Sequence, residues 1–245
     1  MIRTIEELSL NAWPSLSLMV YDGWLLRFSN GYTKRANSVN PIYTSAVDID
    51  KKIHYCEHIF AARNLKPVFK MSELVYPEIL DKTLEGRGYT VIDQTSVQLL
   101  SLSNLKDPLI DSVKLEKRVN EEWLNQFCKF NQQNERNRVI MKQMLSMIIP
   151  KTCFISLYNK EAVVACGLGV LERGYLGIFD IVTDPQWRNR GFGEQLMLNL
   201  LKWGKKNGAE YAYLQVVLNN RPALNLYSKL GFQEKYQYWY RVKEE

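Results

Sequence analysis

Histidine is nearly missing from this 245-residue chain: His54 and His58 are the only two. They stand at i and i+4 on a predicted helix over Ile49–Arg63, but an HxxxH with no further ligand reads as a surface pair. The four cysteines, Cys56, Cys128, Cys153 and Cys166, are scattered and form no CxxC pair. We expect buried, reduced thiols and no metal centre. Long apolar runs are absent as well. No stretch approaches the roughly 18 uninterrupted apolar residues of a membrane span, and the first seven residues lack the basic and apolar regions of a secretory signal. No membrane partner is expected, and the expected compartment is the cytoplasm. No GxxxxGK(S/T) or GxGxxG phosphate motif occurs, nor any helix-turn-helix, zinc-finger or RNP-like pattern. No nucleic-acid partner is expected, although a formal charge of +6 suits any polyanion, a phosphate-rich cofactor included.

What is present describes a globular chain long enough for one large domain or two smaller ones. A polar, turn-prone stretch from Ser101 to Asp111 divides it, and we place the boundary near residue 108. That gives domains over 1–107 and 108–245. Downstream, apolar runs over Cys153–Tyr158, Ala162–Leu171 and Tyr175–Thr183 predict strands joined by the turns Asn159-Lys160-Glu161 and Glu172-Arg173-Gly174. A helix from Gly191 to Lys206, a strand over Tyr211–Val217, a helix over Pro222–Leu230 and an aromatic strand over Phe232–Val242 follow. The fold class is α/β, with a mixed, mostly antiparallel sheet and helices on both faces. Upstream, strand Pro67–Met71, helix Pro77–Glu85 and the Gly88-Tyr89 step into a strand repeat the downstream order ending at Gly231-Phe232. In that register Met71 falls on Leu214, which predicts two similar domains in tandem.

The segment with chemical content runs from Tyr175 to Leu196. An apolar strand ends at Thr183, Asp184-Pro185 forces a turn, and a glycine-bearing loop opens a long helix. The first backbone N–H groups of a helix lack intrahelical partners and lie at the positive end of its dipole. Gly191 and Gly193 remove side chains where a pyrophosphate would approach, and Arg188 and Arg190 add positive charge.

Arg188, Gly191 and Gly193 fit the pattern (Q/R)-x-x-G-x-(G/A) after a strand. Leu214, Val216, Asn220, Ala223, Leu226, Tyr227, Gly231 and Phe232 fit a second block at natural spacing. In both blocks the chain resembles the GNAT superfamily of N-acetyltransferases, over about Val113 to Val242, and looks like a tandem member with a degenerate N-terminal half. The resemblance implies acetyl-CoA as co-substrate, lying in a splay between strands Tyr175–Thr183 and Tyr211–Val217. It implies that main-chain groups of Ile181 and Val182 pair with pantetheine. Amides of Arg188, Asn189, Arg190, Gly191, Phe192 and Gly193 hold the pyrophosphate. Asn220 orients the cofactor or the helix carrying Tyr227, and Tyr227 is the general acid.

The expected base is less direct. Family members that carry a glutamate on the central strand have it where this chain has Gly177. Asp180, flanked by Phe179 and Ile181, is the acidic candidate, as a base or a contact for a cationic substrate. The expected activity is acetyl transfer to a primary amine of a small molecule or peptide, the alternative being a non-catalytic acyl-CoA sensor. Monomer and homodimer both remain open.

The N-terminal half has no RxxGxG, and Leu84 stands where Tyr227 does downstream. Its polar run from Asn30 to Asn40, with Lys34, Arg35, Asn37, Ser38 and Asn40, is expected to be strand-like and to face either solvent or the acceptor site. The aromatic tail Tyr236, Tyr238, Trp239, Tyr240 is expected to pack on the other domain or to line that site.

Overall fold

The computed structural model describes residues 1–243; residues 244 and 245, the end of the predicted second domain, lie outside the described residues. Helix α1 (Ile2–Ala12) leads into strands β1 (Ser17–Tyr21), β2 (Trp24–Phe28) and β3 (Val39–Asn40). Then come α2 (Ile49–Ala61), β4 (Val68–Ser72), α3 (Leu80–Gly86) and β5 (Tyr89–Ser101). Past the loop 102–112 follow β6 (Val113–Glu116), α4 (Glu121–Phe130), α5 (Glu135–Ser146), β7 (Lys151–Asn159), β8 (Ala162–Glu172) and β9 (Tyr175–Thr183). The chain closes with α6 (Phe192–Lys206), β10 (Tyr211–Val217), α7 (Arg221–Lys229) and β11 (Gln233–Lys243).

All the strands form one sheet, in the order β1-β2-β3-β4-β11-β5-β10-β9-β8-β7-β6. Its β3–β4 and β9–β10 pairs are parallel and its other pairs antiparallel. The sheet runs unbroken past the predicted boundary. β11 returns to lie between β4 and β5, and β5 lies between β11 and β10. Thr95 faces Tyr238 across the β5–β11 ladder, and these two residues have the same sequence separation as Gly88 and Gly231. Gly88 (φ +83°) and Gly231 (φ +92°) each follow a helix in the left-handed region that glycine tolerates.

Alternation along the strands places helices on both faces. On β7, Phe154 joins a core with Trp123, Phe127 and Met144 of α4 and α5, while Ile155 joins the core beneath Leu196 and Leu200 of α6. The turn at Arg173-Gly174 has φ of +49° and +75°, the pair of positive values a tight I′ hairpin requires.

The first half holds one element without a sequence expectation and one correction. Helix α1 buries Ile5, Leu8 and Ala12 at helical spacing. The run 30–40 is not strand-like. It is a loop with a 3-10 turn at Lys34–Ala36, and only Val39 and Asn40 pair with β2. The cause is Asn37, whose side-chain oxygen accepts from the backbone N–H of Ser29 (2.7 Å) and Gly31 (2.9 Å) while its amide donates to the Thr33 carbonyl (2.9 Å). A local side-chain clamp of this kind competes with ladder formation.

Candidate active site

The site begins where two parallel strands part. The β9–β10 ladder runs from Tyr175–Tyr211 to Ile178–Leu214 and stops. On the other edge of β9, Phe179 faces Leu168 and Val182 faces Cys166, so β9 carries one extra residue there. This is a β-bulge, and Asp180 within it has φ +53°, uncommon for a residue with a side chain. Beyond Ile178 the edge of β9 facing β10 is left without a strand partner.

Gly177 lies just before the bulge. A Cβ there would fall 2.6 Å from the Tyr213 hydroxyl and 2.7 Å from Phe179, so packing admits no side chain and no carboxylate at this position. The acidic group nearest the splay along the strand is Asp180.

The loop after β9 is built rigidly. The Asp184 carboxylate accepts from Gln186 N–H (2.9 Å) and starts a 3-10 turn over Pro185–Trp187. The Trp187 ring meets Phe192 edge-on with centroids 5.7 Å apart, and the Arg190 guanidinium lies 5.0 Å from the Trp187 ring centre. Arg188 donates to the Thr183 carbonyl (3.4 Å). Asn189 (φ +59°) and Gly191 (φ +82°) take left-handed backbone, and α6 starts at Phe192 with no side chain capping it.

The two glycines have different duties. Gly191 supplies the backbone turn, with open space where its Cβ would be. Gly193 permits close packing instead: a Cβ there would lie 3.3 Å from Thr183 Oγ1 and 3.6 Å from Leu226. Val182 and Phe192 bury their side chains in the core. The result is a cleft of about 760 Å³ running from Ile181 past Gly191 to α7. An uncapped helix start, unpaired strand backbone and exposed Arg188 and Arg190 are what an extended, phosphate-bearing ligand such as coenzyme A needs.

A second cavity of about 530 Å³ adjoins the first at the splay. Ile181, Asn131, Asn220 and Tyr227 line both spaces. Asn220 acts through its side chain, which accepts from Ala223 N–H (3.2 Å) and caps α7, the helix that carries Tyr227. Burial pushes the Tyr227 hydroxyl up to about 12, with Arg35 pulling the other way. Asp180 faces the second cavity, and its Oδ2 is buried with no hydrogen-bond partner. Burial pushes its carboxyl up to about 7, again opposed by Arg35.

This second cavity is completed from the first half of the chain. Tyr32 and Arg35 come from the loop clamped by Asn37, and Thr95 from β5, with Tyr238 and Tyr240 from β11. Of the polar run singled out in the sequence, Lys34 and Arg35 line the cavity; Asn37, Ser38 and Asn40 are buried and bonded within the loop. Tyr238 and Tyr240 both pack in the core and line the cavity. Thr95 and Asn131 belong to no segment singled out in the sequence, while Tyr32 lies in the run 30–40 and Gln215 at an unspecified position of the second block. His54 and His58 are exposed on α2, and the described residues contain no group of three or more His, Cys, Asp or Glu placed to hold a metal. Among the described residues no helix is long and apolar enough to cross a membrane.

Comparison with known proteins now bears on this geometry. A family model described as "Probable histone acetyltransferase Rv0428c C-terminal" matches residues 1–241. The uncharacterized N-acetyltransferase YobR of Bacillus subtilis (strain 168) is 31% identical, over 99% of this chain and 98% of that protein. The chain belongs to the GNAT family of N-acetyltransferases. Other GNAT relatives agree in extent and fold. The probable histone acetyltransferase Rv0428c of Mycobacterium tuberculosis is 25% identical over 95% of this chain and 70% of its own length. A GCN5-related N-acetyltransferase from Kribbella flavida superposes with a TM-score of 0.71 at 14% identity, covering 99% of this chain and 95% of that one.

Proposed function

We propose that this GNAT protein transfers an acetyl group from acetyl-CoA to a primary amine of a small molecule or peptide. The observation that carries the reading is the splay itself. Strand ladder, uncapped α6 and capped α7 converge so that one cleft suited to coenzyme A meets a second cavity at Asn131, Ile181, Asn220 and Tyr227. In the bound state acetyl-CoA supplies an activated acyl group as a thioester. The chain's own part is to place and move protons. Asp180 accepts the proton that the amine loses as the C–N bond forms, and Tyr227 donates its hydroxyl proton to sulfur as the C–S bond breaks. We assign main-chain groups of Ile181 and Val182, where β9 parts from β10, to the donor and its carbonyl. Backbone amides from Arg188 to Gly193 take the pyrophosphate.

The chain reads as two GNAT-like units, 1–107 and 108–245, in which the first has lost the donor motif and kept a share of the acceptor site. With four buried free cysteines, a reducing cytoplasm is the fitting compartment. Calorimetric titration with acetyl-CoA, against dephospho-CoA and NAD, tests the reading. One site per chain for acetyl-CoA with weaker controls is expected; no binding would overturn it. Binding without turnover on any amine would favour an acyl-CoA sensor.

A further inference from the structure

The acceptor cavity sorts its charges in an uneven way. Four charged side chains line it: Lys34, Arg35, Asp93 and Asp180. Lys34 and Asp93 pair with each other at 2.9 Å and are each partly exposed. The other two, Arg35 and Asp180, act on each other through the field but make no ion-pair contact. Asp180 keeps a buried carboxylate oxygen with no hydrogen-bond partner. Among the described residues Arg35 makes no side-chain hydrogen bond and no ion pair. Its guanidinium lies 5.5 Å from the Trp13 ring centre, in the electrostatic neighbourhood of Tyr32, Tyr238, Tyr240 and Asp180. A guanidinium offers five N–H donors in a fixed plane, which match a carboxylate in two parallel bonds. Leaving such a group and a carboxylate both unmatched in one cavity is unfavourable unless a ligand completes them.

We propose that the acceptor is a zwitterion, a small amine that also bears a carboxylate. This deepens the acetyl-transfer reading above and rests on it. The amine lies toward Asp180 and Tyr227, where the acyl group arrives, and the carboxylate lies on Arg35. The charge pattern fits because one unpaired cation and one unpaired anion need one of each from the ligand. The size fits too. A cavity of about 530 Å³ has room for a free amino acid and for larger zwitterions. The Lys34–Asp93 pair stands at its lining, which disfavours a long peptide threaded through it. In this arrangement Arg35 is the specificity residue, and it is supplied by the half of the chain that lacks the donor motif.

The full chain is assayed with saturating acetyl-CoA by following thiol release. Leucine, lysine, β-alanine and γ-aminobutyrate are compared with their carboxamides and with an unblocked hexapeptide. At least one free amino acid is expected to exceed its carboxamide by about tenfold or more in kcat/KM, the scale of one charge-assisted hydrogen-bond set. Arg35→Gln removes a charge that also acts on Asp180 and Tyr227, so the readout is a ratio: KM for that amino acid should rise about tenfold more than KM for its carboxamide. Arg35→Lys should restore part of the difference. Acetyl-CoA affinity, measured by calorimetry on the same variants, should not change. Equal use of carboxamides, preference for the hexapeptide, turnover of none of the amino acids, or a carboxamide KM that rises in step with the amino acid's in Arg35→Gln would each overturn the zwitterion. If wild-type protein fails to bind acetyl-CoA, the broader reading falls instead, so the two failures are told apart.

Discussion

Two helices of this protein follow the parallel-paired strands, α2 after β3 and α6 after β9, and their first turns are finished in opposite ways. At α2 the chain fills the helix start with its own carboxylates. Asp48 accepts from the N–H groups of Asp50 and Lys51 at 3.1 Å. Asp22, reaching across from the β1–β2 turn, accepts from Ala46 and Val47, and Lys52 neutralises it at 3.0 Å. The adjoining turn is closed to any visitor, since a Cβ on Gly23 would meet the Thr44 carbonyl at 2.2 Å. At α6 no side chain caps the helix start, and Glu194 of its first turn pairs with Lys229 instead. Gly191 caps without a side chain, and the first intrahelical bond goes from Gln195 back to Gly191. A helix start attracts anions wherever it occurs. On the function proposed above, what separates the α6 start as a binding site from the α2 start as a structural joint is whether the protein has already supplied the anion.

Making α6 resemble α2 should produce the largest effect. Gly191→Glu places a carboxylate at the open start and a side chain at φ +82°, a conformation that costs a substituted residue roughly 1–2 kcal/mol. Acetyl-CoA affinity is expected to fall by roughly 100-fold or more, from lost backbone contacts plus like-charge repulsion. Gly191→Ala carries the backbone strain without the charge and should lose much less. Calorimetry on both variants, with thermal unfolding to check the fold, separates the two; equal loss would mean that strain, not charge, decides.

The next effect separates the halves through their second helices. α7 carries Tyr227 toward the splay, whereas α3 carries Leu84 into a buried core. Tyr227→Phe should bind acetyl-CoA as wild type does while kcat falls roughly 10²-fold, the usual scale for one lost proton donor. Unchanged turnover in single-turnover kinetics would remove Tyr227 as the acid.

Sequence reading reached the second half far better than the first, for a physical reason. β9 and β10 are apolar runs closed by turn residues, and their observed limits, Tyr175–Thr183 and Tyr211–Val217, coincide with the predicted ones. The glycine loop and the second motif block are contiguous, so local pattern alone locates them. Asp180 stands out as one charge in an apolar strand, though nothing in the letters announces its bulge. α1 gives no start signal, because Met1 at its cap has no polar side chain and its buried face includes Glu6 and Ser9. Of the second cavity only fragments were legible: the run 30–40 and the aromatic tail each had an acceptor site as one of two expected places, but their meeting was not encoded locally. Tyr32, Arg35, Thr95 and Tyr238 meet because β11 inserts between β4 and β5, and no local periodicity encodes which strands interleave.

A smaller effect, with a distinctive pH signature, belongs to Asp180. Its carboxyl is held near 7 by burial, and the charged or titratable groups around its cavity are Tyr32, Lys34, Arg35, Asp93, Tyr227, Tyr238 and Tyr240. As a base it must be ionised, so kcat/KM should rise with pH up to about 7 and then level. Asp180→Asn should lower kcat by roughly tenfold to 100-fold and abolish that rise. Stability moves the other way. A folded-state value above the ordinary 3.8 means that the folded protein holds the proton more tightly than the unfolded chain. The contribution is full below about 4 and lost as pH rises through about 7. At pH 8 the Asn variant should therefore be more stable, by on the order of 1–3 kcal/mol. A melting temperature at pH 8 that is unchanged or lower would show that Asp180 is stabilised by its surroundings and is not a strained base.

The smallest effect tests the comparison from its other side. If α2 is a closed joint, removing its cap should damage stability alone. Asp48→Ala deletes two bonds to backbone N–H groups and should cost about 1 kcal/mol. Acetyl-CoA affinity and turnover should stay at wild-type values, because α2 lines neither the cleft nor the second cavity. Urea unfolding and calorimetry on the same preparation decide the matter. A second acetyl-CoA site appearing in Asp48→Ala would mean that the first half kept its anion pocket and merely occupied it. A single site with reduced stability would mean that Asp22 and Asp48 have converted that pocket into part of the scaffold.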